Sequence, residues 1–253
     1  MTTATSMYTY IDEFEKKSGN GVFPNIDRKQ LVADLKARMA KPSLVDQSYA
    51  SLCGPACMAY IVLSKLPAAW AAYVMSLYDT GSAKLGRGML VKPSEGCRNA
   101  KPGGKISGVD WVGLASLRDS ENAVWEYNNP DDAFAGITMP GGLENWFKQM
   151  KWTGVKEETN LVRTKDADNL RDASRLFAQG HSICLFVWGD VVNGHKAGFF
   201  TTPNHWVVLT RMPQITKQSV TLQVYTWGGL HNLNLSPEIF FAGYYGYVAG
   251  KWS

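Results

Sequence analysis

The chain has 253 residues, 45% of them hydrophobic and 19% charged, with a formal net charge of +4. That length suffices for one sizeable core or two modest domains, and the composition is that of a folded chain, not a disordered one. Charge this close to balance, with no run of five basic residues, argues against nucleic acid as a partner, and no apolar run approaches a membrane span.

The first ten residues are polar, with neither a basic start nor an apolar segment, so no Sec signal peptide is expected. Cys53, Cys57, Cys97 and Cys184 follow no disulfide spacing. The expectation is synthesis in the cytoplasm with reduced thiols, and export by a machine that needs no N-terminal signal stays open. Nine Trp, eleven Tyr and ten Phe are many for this length. Most are expected to fill the core and a few to line a peptide- or glycan-binding cleft.

Residues 1–25, with Gly19-Asn20-Gly21 and Pro24, read as irregular. Asn25 or Asp27 caps a helix over about 28–40, with Leu31, Leu35 and Met39 facing inward and Pro42 ending it. A loop from Gln47 leads to a helix from Cys53 to about Leu66. Pro67 then starts a helix over about 68–78, closed by Gly81. Residues 81–108 are rich in Gly, Lys, Ser and Pro and are expected to form a mobile surface loop. Gly86-Arg87-Gly88 and Pro102-Gly103-Gly104 lack the preceding strand and the Gly-Lys-Ser/Thr ending of a phosphate cradle. A short helix follows at 109–117. The acidic stretch 128–132 lacks the alternating ligands and closing Glu of a calcium loop.

Further on, the spacing predicts a helix over 143–150 and a strand over 155–162. An amphipathic helix begins at Asp168, with Leu170, Ala173, Leu176 and Phe177 on one face and Gly180 as its stop. Strands are expected at 182–188, 205–210, 220–227 and 244–249, with a helical turn from Ser236 to Phe241. Helices first and strands after imply an α+β fold with an antiparallel sheet packed on a helical half. The expectation is one domain over 1–253: an N-terminal extension and helix (1–45), a helical lobe (46–165) and a sheet lobe (166–253).

Two stretches carry chemistry. In Gln47-Ser48-Tyr49-Ala50-Ser51-Leu52-Cys53-Gly54-Pro55, a cysteine sits where loop becomes helix. Unpaired N–H groups and the positive end of the helix dipole favour thiolate there, the nucleophilic form. The Gln47 carboxamide could stand beside the Cys53 N–H and donate to a developing oxyanion. In Asn204-His205-Trp206-Val207-Val208-Leu209, a histidine opens an apolar strand. It could take the thiol proton and return it to a leaving amine. His181 reads as structural. His195 reads as exposed and is the backup base, and His231 is given no role. Cys57, one turn past Cys53, reads as a small core side chain, and two thiols at that spacing with no further ligand make a poor zinc site. No metal or cofactor is expected.

This arrangement resembles the papain-like cysteine peptidase superfamily, over about 47–63 and 175–249. Those enzymes place Gln six residues before a Cys-Gly helix start and deliver the base on a downstream strand. The order Gln, Cys-Gly-Pro, His-Trp-Val-Val, Trp-Gly looks most like bacterial double-glycine leader peptidases and injected cysteine hydrolase effectors. The resemblance implies a two-lobed papain-like fold and amide-bond hydrolysis through a thiolate–imidazolium pair. Cys53 would be nucleophile, His205 base and acid, and Gln47 with the Cys53 N–H the oxyanion hole. Trp206, Trp227 and Gly228 would contact substrate. Relatives present an Asn or Asp to the histidine where this chain reads Tyr225-Thr226-Trp227-Gly228. Alternation puts Leu222, Val224 and Thr226 on the inward face, which favours Thr226 as the orienting group. Matching on Trp-Gly selects Tyr225 instead, and Asp190 or Asn193 are further alternatives. Trp227 would shield the histidine contact from water. The substrate expected is a peptide, a protein or the peptide of a bacterial cell wall, with a cognate inhibitor or immunity protein as a further partner. Acyl transfer and glutamine deamidation use the same groups. The rival from another class is a non-catalytic binding module on a decayed peptidase fold, motivated by the missing carboxamide.

Overall fold

The computed structural model describes residues 4–48, 50–121, 138–198 and 200–252, so the acidic stretch 128–132 lies outside the described residues. The chain divides into two compact units, Met1–Gly136 and Ile137–Ser253.

The first unit opens with a helix that the breakers at 19–24 had hidden. In α1 (Ala4–Lys16), Met7, Ile11 and Phe14 recur at helical spacing and are buried, so 1–25 is not irregular throughout. The glycines only mark its end. α2 (Arg28–Ala40) starts where Asp27 accepts the Gln30 N–H at 2.8 Å. It buries Leu31, Val32 and Leu35, with Met39 only partly covered. Arg28 joins α1, α2 and α4 (Pro67–Thr80). Its guanidinium lies 4.5 Å from the Phe14 ring and 4.8 Å from the Tyr78 ring, and pairs with Asp79 at 2.7 Å. Between α2 and α4 runs α3 (Cys53–Lys65), with ten of its thirteen residues buried, as an interior helix should be.

Residues 81–108 are not the mobile loop expected from composition. β1 (Ala83–Leu85) and β2 (Met89–Val91) form an antiparallel hairpin whose alternate residues are buried. A short α5 (Glu95–Asn99) follows, capped by Ser94. α6 comprises Gly108–Asp110, Trp111–Ala115 and Ser116–Asp119, its middle segment in π geometry. The apolar face of this stretch predicts a helix but does not reveal the wider turn.

The second unit holds α7 (Pro140–Gln149), β3 (Thr153–Thr159), α8 (Ala167–Ala178), β4 (Ser182–Val187), β5 (His205–Ile215), β6 (Val220–Thr226), β7 (Gly229–Leu235), α9 (Pro237–Ala242) and β8 (Tyr244–Lys251). The strands form one antiparallel sheet in the order β3-β8-β4-β5-β6-β7, so the α+β class holds. The boundary expected at 165/166 moves to 136/137, because β3 pairs with β8 and α7 packs on both strands. β7 was not expected. All six residues of β4 are buried, which explains its unbroken apolar run. On one face, Leu170 and Ala173 of α8 pack against Ile183, Leu185, Val207, Leu209 and Val224. Tyr244 donates to Asn169 at 2.7 Å and Tyr247 to Asp172, tying α8 to β8. Close approach of β3 requires Gly246: its φ is 117°, and a Cβ there would stand 2.1 Å from the Glu158 carbonyl oxygen. Among the described residues, no helix is long and apolar enough to cross a membrane.

Candidate functional site

Cys53 and Gln47 belong to the first unit. His205, Thr226, Trp206, Trp227 and Gly228 belong to the second.

Cys53 is the first residue of α3 and is buried, as are Cys57, Cys97 and Cys184. No side chain caps this helix end among the described residues. Pro55 brings no N–H, and the Ala56 N–H is spent on the Leu52 carbonyl at 2.9 Å. The remaining N–H groups of a first helical turn stand outside the intrahelical ladder. The preceding loop is wound tightly. The Ala50 N–H donates to the Gln47 carbonyl at 3.0 Å, and the Leu52 N–H to the Ala50 carbonyl at 2.7 Å. Gln47 is 7% exposed, and its Nε2 donates one hydrogen to the Ala50 carbonyl at 2.9 Å. A carboxamide nitrogen carries two hydrogens, so the second can serve another acceptor.

In the second unit the register brings His205 and Thr226 together. Val208 pairs with Tyr225, so Thr226 lies one pair further on, and alternation puts His205, Val207 and Thr226 on one face. His205 Nε2 lies 2.6 Å from Thr226 Oγ1, both residues being buried. The start of β5 is pinned by Asn204. Its N–H donates to the Val187 carbonyl at 3.1 Å, and its Oδ1 accepts the Gly189 N–H at 2.8 Å. Asp190 and Asn193, the alternative orienting groups, are exposed, while Tyr225 is buried on the opposite face from Thr226.

Thr226 pairs with Gly229 across a two-residue turn of Trp227 and Gly228, with φ of 45° and 69°. Positive φ at both positions suits the twist of a hairpin, but for tryptophan it is strained, by about 1–3 kcal/mol. That backbone stacks the indole on the His205 ring at 4.6 Å and 17°. His231 meets Trp227 edge-on at 6.0 Å. Burial lowers the His205 pKa to about 4, and the neighbouring His231 charge adds to the effect. At neutral pH the imidazole is uncharged.

Trp227 and Gly228 are half-exposed at the turn. Trp206 is corrected. It points to the sheet's other face, stacks on Phe186 at 4.3 Å and donates to the Thr138 carbonyl at 2.8 Å. It is a core side chain, because a residue one step from His205 in a strand must face the opposite way. Sequence reasoning gave no role to His231. Its signal was the Trp227-Gly228 turn, which folds the next strand back and sets His231 opposite Val224.

No protein-family model, curated protein or solved structure matches the chain. Among the described residues, no group of three or more His, Cys, Asp or Glu side chains could hold a metal ion. An open groove of about 540 Å³ lined by Asp168, Arg171, Arg175, Pro213 and Ile215 lies toward the far end of β5 from His205.

Proposed function

We propose that this chain is a papain-like cysteine hydrolase that cleaves an amide bond. The observation that carries the reading is the His205–Thr226 hydrogen bond beneath the Trp227 indole. A buried imidazole has one nitrogen engaged by a hydroxyl and one face covered by an aromatic ring, so its orientation is fixed. With the ring proton on Nε2 donated to Thr226, Nδ1 keeps the lone pair that a base needs.

In this reading Cys53 is the nucleophile. Since the imidazole is held neutral, the resting pair is thiol and imidazole in place of the ion pair expected from the family. Nδ1 takes the thiol proton as sulfur attacks the carbonyl carbon. The Cys53 N–H and the Gln47 Nε2–H receive the oxyanion. The imidazolium then protonates the leaving amine, and water releases the acyl group by the reverse proton path. Thr226 replaces the family's carboxamide with a neutral hydroxyl, which orients the ring but stabilises imidazolium less. The substrate class is a peptide, a protein or cell-wall peptide, and action as an effector delivered into a target cell belongs to the same proposal.

The test joins reactivity with turnover. Iodoacetamide labelling read on the Cys53 peptide should exceed labelling at Cys57, Cys97 and Cys184, and His205→Ala should slow it. Purified wall fragments and a protein panel then supply substrates, and Cys53→Ala should abolish any cleavage found. Equal labelling of the four thiols, or cleavage that survives Cys53→Ala, rejects the proposal.

A further inference from the structure

Gln47 lies between two backbone amides that carboxylates hold. Before it, the Asp46 N–H donates to Asp110 Oδ2 at 3.2 Å. After it, the Ser48 N–H donates to Asp46 Oδ1 at 2.7 Å, which holds Ser48 at a φ of 53°. Its own carboxamide is tied to the Ala50 carbonyl at 2.9 Å. The donor is therefore fixed from both directions along the chain and at its tip.

Asp110, 3% exposed, is itself held firmly. Arg38 Nε donates to Oδ1 at 2.8 Å and Arg38 Nη2 to Oδ2 at 2.6 Å, a two-point grip that fixes the carboxylate plane. Ser107 Oγ donates to Oδ2 at 2.9 Å. A buried ion pair joining α2 to α6 thus ends on the one backbone amide that precedes Gln47. Stability alone does not call for that ending, since two buried charges removed from water often gain nothing over an apolar pair. Placement of a donor does call for it, because oxyanion stabilisation falls steeply with small displacements.

We propose that Asp46 and Asp110 are positioning residues that hold the Gln47 carboxamide as the oxyanion donor for Cys53. The inference rests on the reading of Cys53 as nucleophile, and its test separates the two. p-Nitrophenyl acetate acetylates a thiol through a tetrahedral oxyanion. Sulfur bonds to the acetyl carbon, the bond to p-nitrophenolate breaks, and the thiol proton leaves with the phenol or to solvent. Iodoacetamide alkylates by displacing iodide, with no oxyanion. Both reactions are followed on the Cys53 peptide by mass spectrometry.

Asp46→Ala should slow acetylation at least about tenfold and leave alkylation unchanged. Gln47→Ala should do the same, and the double variant should be no slower than Gln47→Ala alone, because Asp46 acts through Gln47. Asp110→Asn should follow Asp46→Ala. If it does not fold, Asp46, which is half-buried and leaves no buried cation behind, decides alone. Acetylation of Asp46→Ala at the wild-type rate, equal loss of both reactions, or losses that multiply in the double variant overturn the proposal. A wild-type chain not acetylated at Cys53 refutes the nucleophile itself, and this inference with it. Wild-type acetylation that Gln47→Ala leaves untouched spares the nucleophile and overturns only the positioning role.

Discussion

Acid should destabilise this fold through His205, by an amount the structure sets. The imidazole titrates near 6.5 in an unfolded chain and at about 4 in the fold. Between those values the unfolded chain binds a proton that the folded one refuses, so stability is lost as pH falls. At pH 7 both states are essentially neutral at this position. By pH 5 the linkage amounts to roughly 2 kcal/mol, and by pH 4 to about 3 kcal/mol. The perturbation is His205→Gln, which keeps a polar side chain without a titrating ring. Urea unfolding at pH 7, 6, 5 and 4 gives each protein's stability. The wild type should lose about 3 kcal/mol more than the variant over that range, most of it between pH 6 and 4. Asp110 works in the opposite sense. Burial raises its carboxyl above the usual carboxylate range despite the Arg38 guanidinium, so it takes up its proton sooner in the fold, and this cancels in the difference. Parallel acid profiles for the two proteins would refute the claim that a buried neutral imidazole sits at 205.

Three further outcomes follow from other parts of the molecule. Thr226→Val keeps the shape and removes the hydroxyl, so acetylation of Cys53 should fall about tenfold or more while Thr226→Ser restores it; stopped-flow release of p-nitrophenolate checks this. Trp227→Gly relieves the positive φ but uncovers the imidazole, so the His205 pKa should move from about 4 toward its ordinary value in an NMR titration, with stability changed by only about 1 kcal/mol. Arg38→Met strands the Asp110 carboxylate and should cost about 3–5 kcal/mol at pH 7, and less as acid protonates that carboxyl, whose pKa burial raises; urea midpoints followed from pH 7 into the acid range measure it.

The parts of this fold legible in the sequence are those where one local signal settles the matter. Asp27 before an apolar helical pattern, Pro67 at a helix start, and the unbroken run Ile183-Cys184-Leu185-Phe186-Val187 each announce their element, and each is found. α1 was hidden because Gly19-Asn20-Gly21 drew attention from the Met7, Ile11 and Phe14 spacing before it. β7 is not marked locally, because Trp227, with a φ of 45°, is a poor residue for the left-handed turn that precedes it. In the candidate site, alternation along β6 favours Thr226 over Tyr225, and Thr226 Oγ1 lies 2.6 Å from His205 Nε2. Alternation along β5 equally rules out Trp206, a consequence the resemblance had masked. The Arg38–Asp110 pair was illegible because its members stand 72 residues apart, and nothing local marks a buried partner.

The uncomfortable backbone at Trp227 bears on the descent of this chain. Glycine or asparagine would adopt that φ more easily, so random substitution filtered only for folding would remove the tryptophan over time. On the proposed chemistry, what offsets that cost is the cover the indole gives the His205 ring. If His205 acts as proposed, comparing position 227 across descendants of the same ancestor would sort lineages that use the histidine from those that do not. A lineage that has released this turn to glycine should also have released Cys53.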